Sequence, residues 1–99
     1  MTTVTIEKRQ GGYVAINLVG HANYNPGNDI VCSSISTIVG FLAKNCDKIA
    51  GSRATINPGD CSFYFPEDRI VDIVAELFEE LAEDYPDNVK VIKKNFVHG

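Results

Sequence analysis

The chain has 99 residues, of which 44% are hydrophobic and 22% charged, and its formal net charge is −4. A chain of this length buries roughly 60–70% of its unfolded surface, so we expect one domain over residues 1–99 without metals or disulfides. The acidic balance disfavours binding to a nucleic-acid backbone through bulk charge, and we expect no direct contact with nucleic acid.

The cysteines and the hydropathy pattern predict a cytoplasmic setting. The chain has three cysteines, Cys32, Cys46 and Cys61, and an odd number of cysteines cannot all form disulfides within one chain. The first residues lack a basic region followed by a long apolar run, so no signal peptide is expected. No apolar stretch approaches the roughly 18–20 residues that span a bilayer. A reducing compartment with free thiols, and no membrane, is the simplest interpretation.

The N-terminal part of the chain predicts a β-hairpin. Residues 3–8 are rich in β-branched side chains, residues 10–12 form a Gly-Gly turn signal, and residues 13–19 follow as a second strand.

A long first helix is predicted next. Asn28 or Asp29 can cap its start, and Gly51 stops it. This helix is also apolar away from its main stripe, at Ile30 and Phe41, which suggests that a partner chain covers a second side and that the protein forms a homodimer. The main stripe, at helical spacing, consists of Val31, Ile35, Ile38, Val39 and Leu42.

The C-terminal half predicts two strands, a second helix and a final strand. Residues 53–57 and 62–65 are joined by a turn at 57–60, and residues 89–93 close the chain. The second helix opens at residues 66–68 and ends before Pro86. Its predicted inner face is Ile70, Val74, Leu77, Phe78, Leu81 and Tyr85. The order ββαββαβ predicts an α+β fold, with an antiparallel or mixed sheet packed with two helices.

His21 and Cys32 are the candidate catalytic pair. They bracket a short loop that leaves the second strand and enters the first helix. A thiol in the first helical turn lies among unpaired backbone N–H groups, whose partial positive charge favours the thiolate. A histidine at the end of the preceding strand could reach across as the base, which is the minimum equipment of a cysteine hydrolase.

Structural roles compete with each of these assignments. Free cysteine is often a small core residue, and His21 could simply end a strand at the surface. Asp29 could cap the helix or orient His21, but a carboxylate close to the thiol would oppose thiolate formation. Ser36 lies one turn after Cys32 and could bond back to its carbonyl or act as a donor near the site. Cys46 and Cys61 have no partner at metal-ligand spacing, so no metal is expected.

The motif around these residues resembles the ribosomal-processing cysteine protease family, Prp. Its elements are Gly20-His21-Ala22 at the end of a strand, Gly27-x-Asp29-Ile30-Val31-Cys32 opening a helix, and Ser36 shortly after. Length and element order are also compatible with that family. Ser33 stands where alanine is usual, and the loop between His21 and Cys32 is slightly short.

The resemblance implies Cys32 as nucleophile and His21 as base, with Asp29 and Ser36 in supporting positions. It implies a cytoplasmic homodimer that needs no cofactor. Its substrate would be a bacterial large-subunit ribosomal protein, number twenty-seven, whose N-terminal extension is removed just after a paired aromatic.

Two other functions remain open from the sequence. The chain could be a non-catalytic acidic dimer that binds a ribosomal protein or assembly factor, with Cys32 only packed. It could also be a redox-sensing thiol protein, although no second cysteine lies near Cys32 in sequence.

Overall fold

The predicted order of elements is confirmed. A computed structural model describes residues 1–9, 14–20, 29–67 and 69–96. The elements are β1 (Thr2–Arg9), β2 (Val14–Gly20), α1 (Asp29–Lys48), β3 (Arg53–Asn57), β4 (Asp60–Phe65), α2 (Arg69–Asp84) and β5 (Val89–Phe96). The predicted turn at 10–12 lies outside the described residues, as does Tyr13 at the start of the predicted second strand.

The five strands form one mixed sheet in the order β3-β4-β2-β1-β5. The pairs β1–β2, β2–β4 and β3–β4 are antiparallel, whereas β1 and β5 are parallel. Strands β1 and β4 run in the same direction, because both pair antiparallel with β2. The crossover through α2 brings the chain back in that same direction, so β5 lies parallel to β1. The chain therefore has the α+β fold that its element order predicted.

Some strands are longer than their apolar pattern predicts. Strand β5 was expected to end at residue 93, but it continues to Phe96, with Lys94 opposite Glu7 of β1. Strand β4 begins at Asp60 rather than residue 62, because Asp60 pairs with Val19 of β2. Backbone pairing with a neighbouring strand extends through polar residues, which a hydrophobic pattern alone does not mark.

The core lies between one face of the sheet and the two helices. Ile6, Ile16 and Phe63 are opposite one another across β1, β2 and β4 and are all buried. The fully buried side chains with the largest volumes are Phe63, Phe65, Phe78, Ile16 and Leu42. No helix in the described ranges has the length and apolarity that a membrane span requires.

The predicted inner face of α2 is wrong at Leu77. This side chain is 45% exposed, whereas Val71, Val74, Ala75 and Phe78 are buried. Two overlapping stripes along this helix have the i, i+3, i+4 spacing, so the sequence pattern does not distinguish them. The sheet selects the stripe that includes Val71 and Ala75.

Candidate active site

Cys32 lies where α1 begins. The helix starts at Asp29, which makes Cys32 its fourth residue. Side chains on a helix tilt toward its N-terminus, so the thiol extends over the first turn, where backbone N–H groups have no partner within the helix. Cys32 is half-buried and packs against the edge of the core. The structure thus places Cys32 in the first turn of α1, as the sequence predicted.

Gly20 fixes the place where the chain leaves β2. Its φ is +99°, and a Cβ there would come within 2.3 Å of the Met1 carbonyl oxygen. Its N–H donates a hydrogen bond of 2.9 Å to the carbonyl of Gly59 in the β3–β4 turn. Only glycine satisfies both the left-handed conformation and this close approach. Gly20 therefore holds the end of β2 against the β3–β4 turn.

A groove of about 350 Å³ lies between the end of β2 and α1, and Cys32 is not among its lining residues. Ser36, one turn after Cys32, lines the groove from the α1 side, and Gly20 lines it from the end of β2. The opposite wall is the β3–β4 turn and the first residues of β4, namely Gly59, Asp60 and Cys61. Apolar side chains form much of the remaining lining, namely Leu18, Ile35 and Val39.

The structure describes some of the predicted site residues and not others. Cys32 and Ser36 belong to the same end of α1, and Ser36 is exposed in the groove. Asp29 begins the helix, as one of the two predicted starts, but its side chain is outside the description. His21 also lies outside the described residues, so its approach to Cys32 stays a prediction.

The other two thiols have different surroundings. All three cysteines are among the described residues, and none forms a disulfide. The Cys46 thiol donates to the carbonyl of Arg53 at 3.4 Å, and that of Cys61 donates to the carbonyl of Asn57 at 3.7 Å. Burial raises the pKa of the Cys46 thiol, and the neighbouring Asp47 carboxylate raises that pKa further. Cys46 is therefore held as a neutral thiol.

Metal binding has no support in the part of the chain that the structure describes. No group of three or more histidine, cysteine, aspartate and glutamate side chains is placed there to hold a metal ion. Near the start of α1 the described side chains include the Cys32 thiol and the Ser36 hydroxyl.

Sequence reasoning missed the residues of the groove wall. Gly59 was interpreted only as part of a turn, and Gly40 of α1 was given no role. One signal was available, because Cys32, Ser36 and Gly40 follow one another at steps of four residues and so share one side of the helix. The contribution of the hairpin turn had no such signal, since it arises from the pairing of β2 with β4.

Comparisons with known proteins agree with the resemblance noted in the sequence. A family model described as cysteine protease Prp matches residues 1–90. A search of curated protein sequences gave no match.

Two solved structures share the fold. The first is a crystal structure of an essential ribosomal processing protease Prp from S. aureus, in complex with a covalently linked product peptide. It is 23% identical with a TM-score of 0.75, and the match covers 95% of this chain and 100% of that one. The second is SMU.848 from Streptococcus mutans, 24% identical with a TM-score of 0.68, where the match covers 96% of this chain and 98% of that one.

Proposed function

The chain belongs to the Prp family of cysteine proteases, and on that premise we propose that it cleaves peptide bonds with Cys32 as nucleophile and His21 as general base. The main support is the groove that Gly20 and Ser36 line together. Gly20 directly precedes His21, and Ser36 lies one helical turn after Cys32. Two chain segments that are separate in sequence thus border one groove, and each contains, within four residues in sequence, one member of the proposed catalytic pair.

The proposed reaction has two stages. His21 takes the proton from the Cys32 thiol, and the thiolate attacks the carbonyl carbon of the scissile peptide bond. His21 then gives the proton to the leaving amine as the C–N bond breaks. In the second stage His21 takes a proton from water as the water oxygen attacks the thioester carbonyl. The C–S bond then breaks, the sulfur takes the proton back from His21, and the carboxylic acid product leaves and loses its own proton to solvent.

The start of α1 would serve as the oxyanion site. The N–H groups of the first turn have no partner within the helix and carry its positive dipole end. Preformed donors of this kind stabilise the negative charge that develops on the carbonyl oxygen. Asp29 and Ser36 would support the pair, Asp29 by orienting His21 or capping the helix, and Ser36 by donating a hydrogen bond to bound peptide.

The proposed substrate is the large-subunit ribosomal protein number twenty-seven, from which the enzyme removes an N-terminal extension in the cytoplasm. The similar protein from S. aureus is described as a ribosomal processing protease, and its crystal structure contains a covalently linked product peptide. The surface of this chain suits a basic protein, because α2 exposes a series of acids and the net charge is −4. Those exposed acids are Asp72, Glu76, Glu80, Glu83 and Asp84.

The enzyme would act as a homodimer through the outer side of its helices. Ile30 is 63% exposed and Phe41 47%, and their spacing of eleven residues places them on the same side of α1. Ile73 and Leu77 are exposed on α2 at a spacing of one turn. Apolar side chains grouped in this way mark a surface that a partner covers, and a second copy is the proposed partner.

Cleavage of the extended ribosomal protein tests the catalytic assignment. We expect Cys32→Ala and His21→Ala each to lower the cleavage rate by roughly a thousandfold or more, because each removes one half of the nucleophile and base pair. Mass spectrometry of the host's ribosomal protein number twenty-seven, with and without this enzyme, gives the position of the cut. Both variants should keep the circular dichroism of the parent. A well-folded Cys32→Ala protein that still cleaves would contradict the mechanism.

Sedimentation at micromolar concentration tests the dimer. We expect the parent protein to sediment as a dimer and Phe41→Asp as a monomer, because the substitution puts a charge into an apolar contact. Ile56→Asp is the matched control, since Ile56 is also exposed but lies on the edge strand β3. A monomeric parent protein would contradict the proposal. Dissociation by Ile56→Asp alone would move the interface to the sheet edge.

A further inference from the structure

A second cleft lies between α1 and α2 and is lined only by residues of these two helices. Its volume is about 450 Å³, and its apolar lining is Ile38 from α1 with Leu77 and Leu81 from α2. Hydroxyl side chains line it from α1, whereas Glu80 and Asp84 line it from α2. This α1–α2 cleft shares no lining residue with the groove at the end of β2.

The two helices are antiparallel across the α1–α2 cleft. Residues 33–38, in the first half of α1, line the cleft together with residues 77–84, in the second half of α2. At the other end of the helices, a Cβ on Gly51, just after α1, would contact Pro66, just before α2. The C-terminal ends of α1 and α2 therefore lie at opposite ends of the surface that the two helices form.

The outer stripe of α1 combines an aromatic side chain with two cations. Phe41, Lys44 and Lys48 are all exposed. At about 100° per residue they lie within about 60° of one another around the helix, on the same side as Thr37, which lines the cleft. Asp47 lies at least about 60° away from both lysines. The surface beyond Phe41 is therefore positively charged.

The outer stripe of α2 has the same pattern with the opposite charge. Leu77, Glu80 and Asp84 are exposed and follow one another at steps of three and four residues. Phe41 and the two lysines of α1 follow at the same two steps. A surface that binds its own copy about a two-fold axis must carry the complement of each of its own features. These two stripes meet that requirement.

We propose that the outer stripes and the α1–α2 cleft form a self-complementary surface, and that Phe41 of each copy enters the cleft of the other. The two lysines that follow Phe41 then lie against Glu80 and Asp84 of the second copy. The two-fold axis lies in the interface and runs across the helices. Because the C-terminal ends of α1 and α2 lie at opposite ends of the surface, one rotation forms both sets of charge contacts. The proposal rests on the proposed homodimer and adds its geometry.

The apolar and charged contacts have different roles in this arrangement. Burial of Phe41 in an apolar cleft supplies most of the affinity, as large aromatic side chains do in protein interfaces. The charge pairs lie at the rim, where they select the partner and its orientation, and where like charges are costly. Salt screens exposed charges of this kind, so the dissociation constant of the dimer should rise with ionic strength.

Two charge-reversed proteins test the arrangement by sedimentation at micromolar concentration. One carries Lys44→Glu with Lys48→Glu, and the other carries Glu80→Lys with Asp84→Lys. We expect each alone to raise the dissociation constant of the dimer by about tenfold or more, because like charges then face each other at both ends of the interface. An equimolar mixture of the two should form a heterodimer with an affinity close to that of the parent, because every facing pair is again of opposite sign.

Two further proteins complete the test. A single chain with all four substitutions should dimerise like the parent, since the charges are exchanged but remain complementary. The matched control is Glu76→Lys with Glu83→Lys, which makes the same change of charge on the exposed surface of α2. Glu76 lines a separate cleft with Lys94 of β5, and Glu83 lies seven residues later on the same stripe. We expect the control to remain dimeric and every variant to keep the circular dichroism of the parent.

Failure of this geometry can be distinguished from failure of the proposed function. A dimeric parent whose dissociation constant is unchanged by both charge reversals, or reversed proteins that do not recombine when mixed, would overturn the geometry and leave the homodimer in place. A monomeric parent would overturn both. Cys32→Ala should dimerise like the parent, because Cys32 does not line the α1–α2 cleft. The outcome therefore does not depend on the identity of the nucleophile.

Discussion

The two ends of α1 each carry a half-buried thiol, Cys32 in the first turn and Cys46 in the last. At the first turn, backbone N–H groups lack partners in the helix and stabilise negative charge. At the last turn, the partial charge of the helix is negative, Asp47 adds a carboxylate, and the Cys46 thiol donates its proton to the carbonyl of Arg53. The same side chain therefore meets opposite electrostatic conditions at two ends of one helix.

This difference matters because exposure alone does not separate the two cysteines. Both are half-buried and both contact the periphery of the same core. A thiol becomes a nucleophile when its surroundings favour the thiolate, and Cys46 is held in the neutral form by burial and by Asp47. The surroundings of Cys46 therefore count against it as a nucleophile, and the proposal for Cys32 rests on its position in the first turn of α1.

Alkylation rates give the largest expected contrast between the two ends. We expect iodoacetamide to modify Cys32 on the order of tenfold or more faster than Cys46 or Cys61 near neutral pH, because only the thiolate reacts. Peptide mapping by mass spectrometry after timed quenching gives the rate at each cysteine.

Two controls complete that measurement. Cys32→Ala should remove the fast reaction and leave the slow ones unchanged. Unfolding in guanidinium should bring all three rates together, since the helix then no longer exists. Equal and slow labelling of the three cysteines in the folded protein would instead favour the non-catalytic binding module.

Much of the fold could be predicted because its boundaries are marked locally. Pro58 and Gly59 mark a hairpin turn, and Pro86 lies just past the end of α2. The order of strands in the sheet could not be predicted in the same way. It depends on which strand pairs with which across long stretches of chain, and the parallel partner of β1 is the last strand of all. The error at Leu77 has a related origin, because the packing of α2 on the sheet selects between two similar stripes.

The parts of the candidate site also differ in whether a local sequence pattern marks them. Cys32 and Ser36 could be assigned from sequence because a helix start and a step of one turn are local features. The groove could not, since one wall is α1 and the other is the β3–β4 hairpin, which β2 holds in place. The hydrogen bond from Gly20 to Gly59 joins those parts and has no local signature. Local sequence patterns therefore predict the proposed reacting groups, whereas the groove depends on pairing between distant parts of the chain.

The pH dependence of stability gives the smallest expected effect, at the other end of α1. The folded state holds the Cys46 proton to higher pH than the unfolded chain does, because burial and Asp47 raise the pKa of this thiol. The resulting stability is fully present below the usual thiol pKa of about 8.5. It is lost as pH rises through that value toward the raised pKa of the folded state.

Replacing Cys46 by serine should flatten this part of the profile. Serine keeps a proton to donate to the Arg53 carbonyl but does not titrate in this range. Urea midpoints of the parent protein and Cys46→Ser, measured under reducing conditions from about pH 7.5 to 9.5, give the difference in slope. Cys61→Ser is the control, because it replaces a thiol that lies on β4, away from the last turn of α1. Identical slopes for the parent protein and Cys46→Ser would contradict this prediction. The Cys46 thiol would then lose its proton as readily in the folded protein as in the unfolded chain, and the two ends of α1 would not differ in the way proposed.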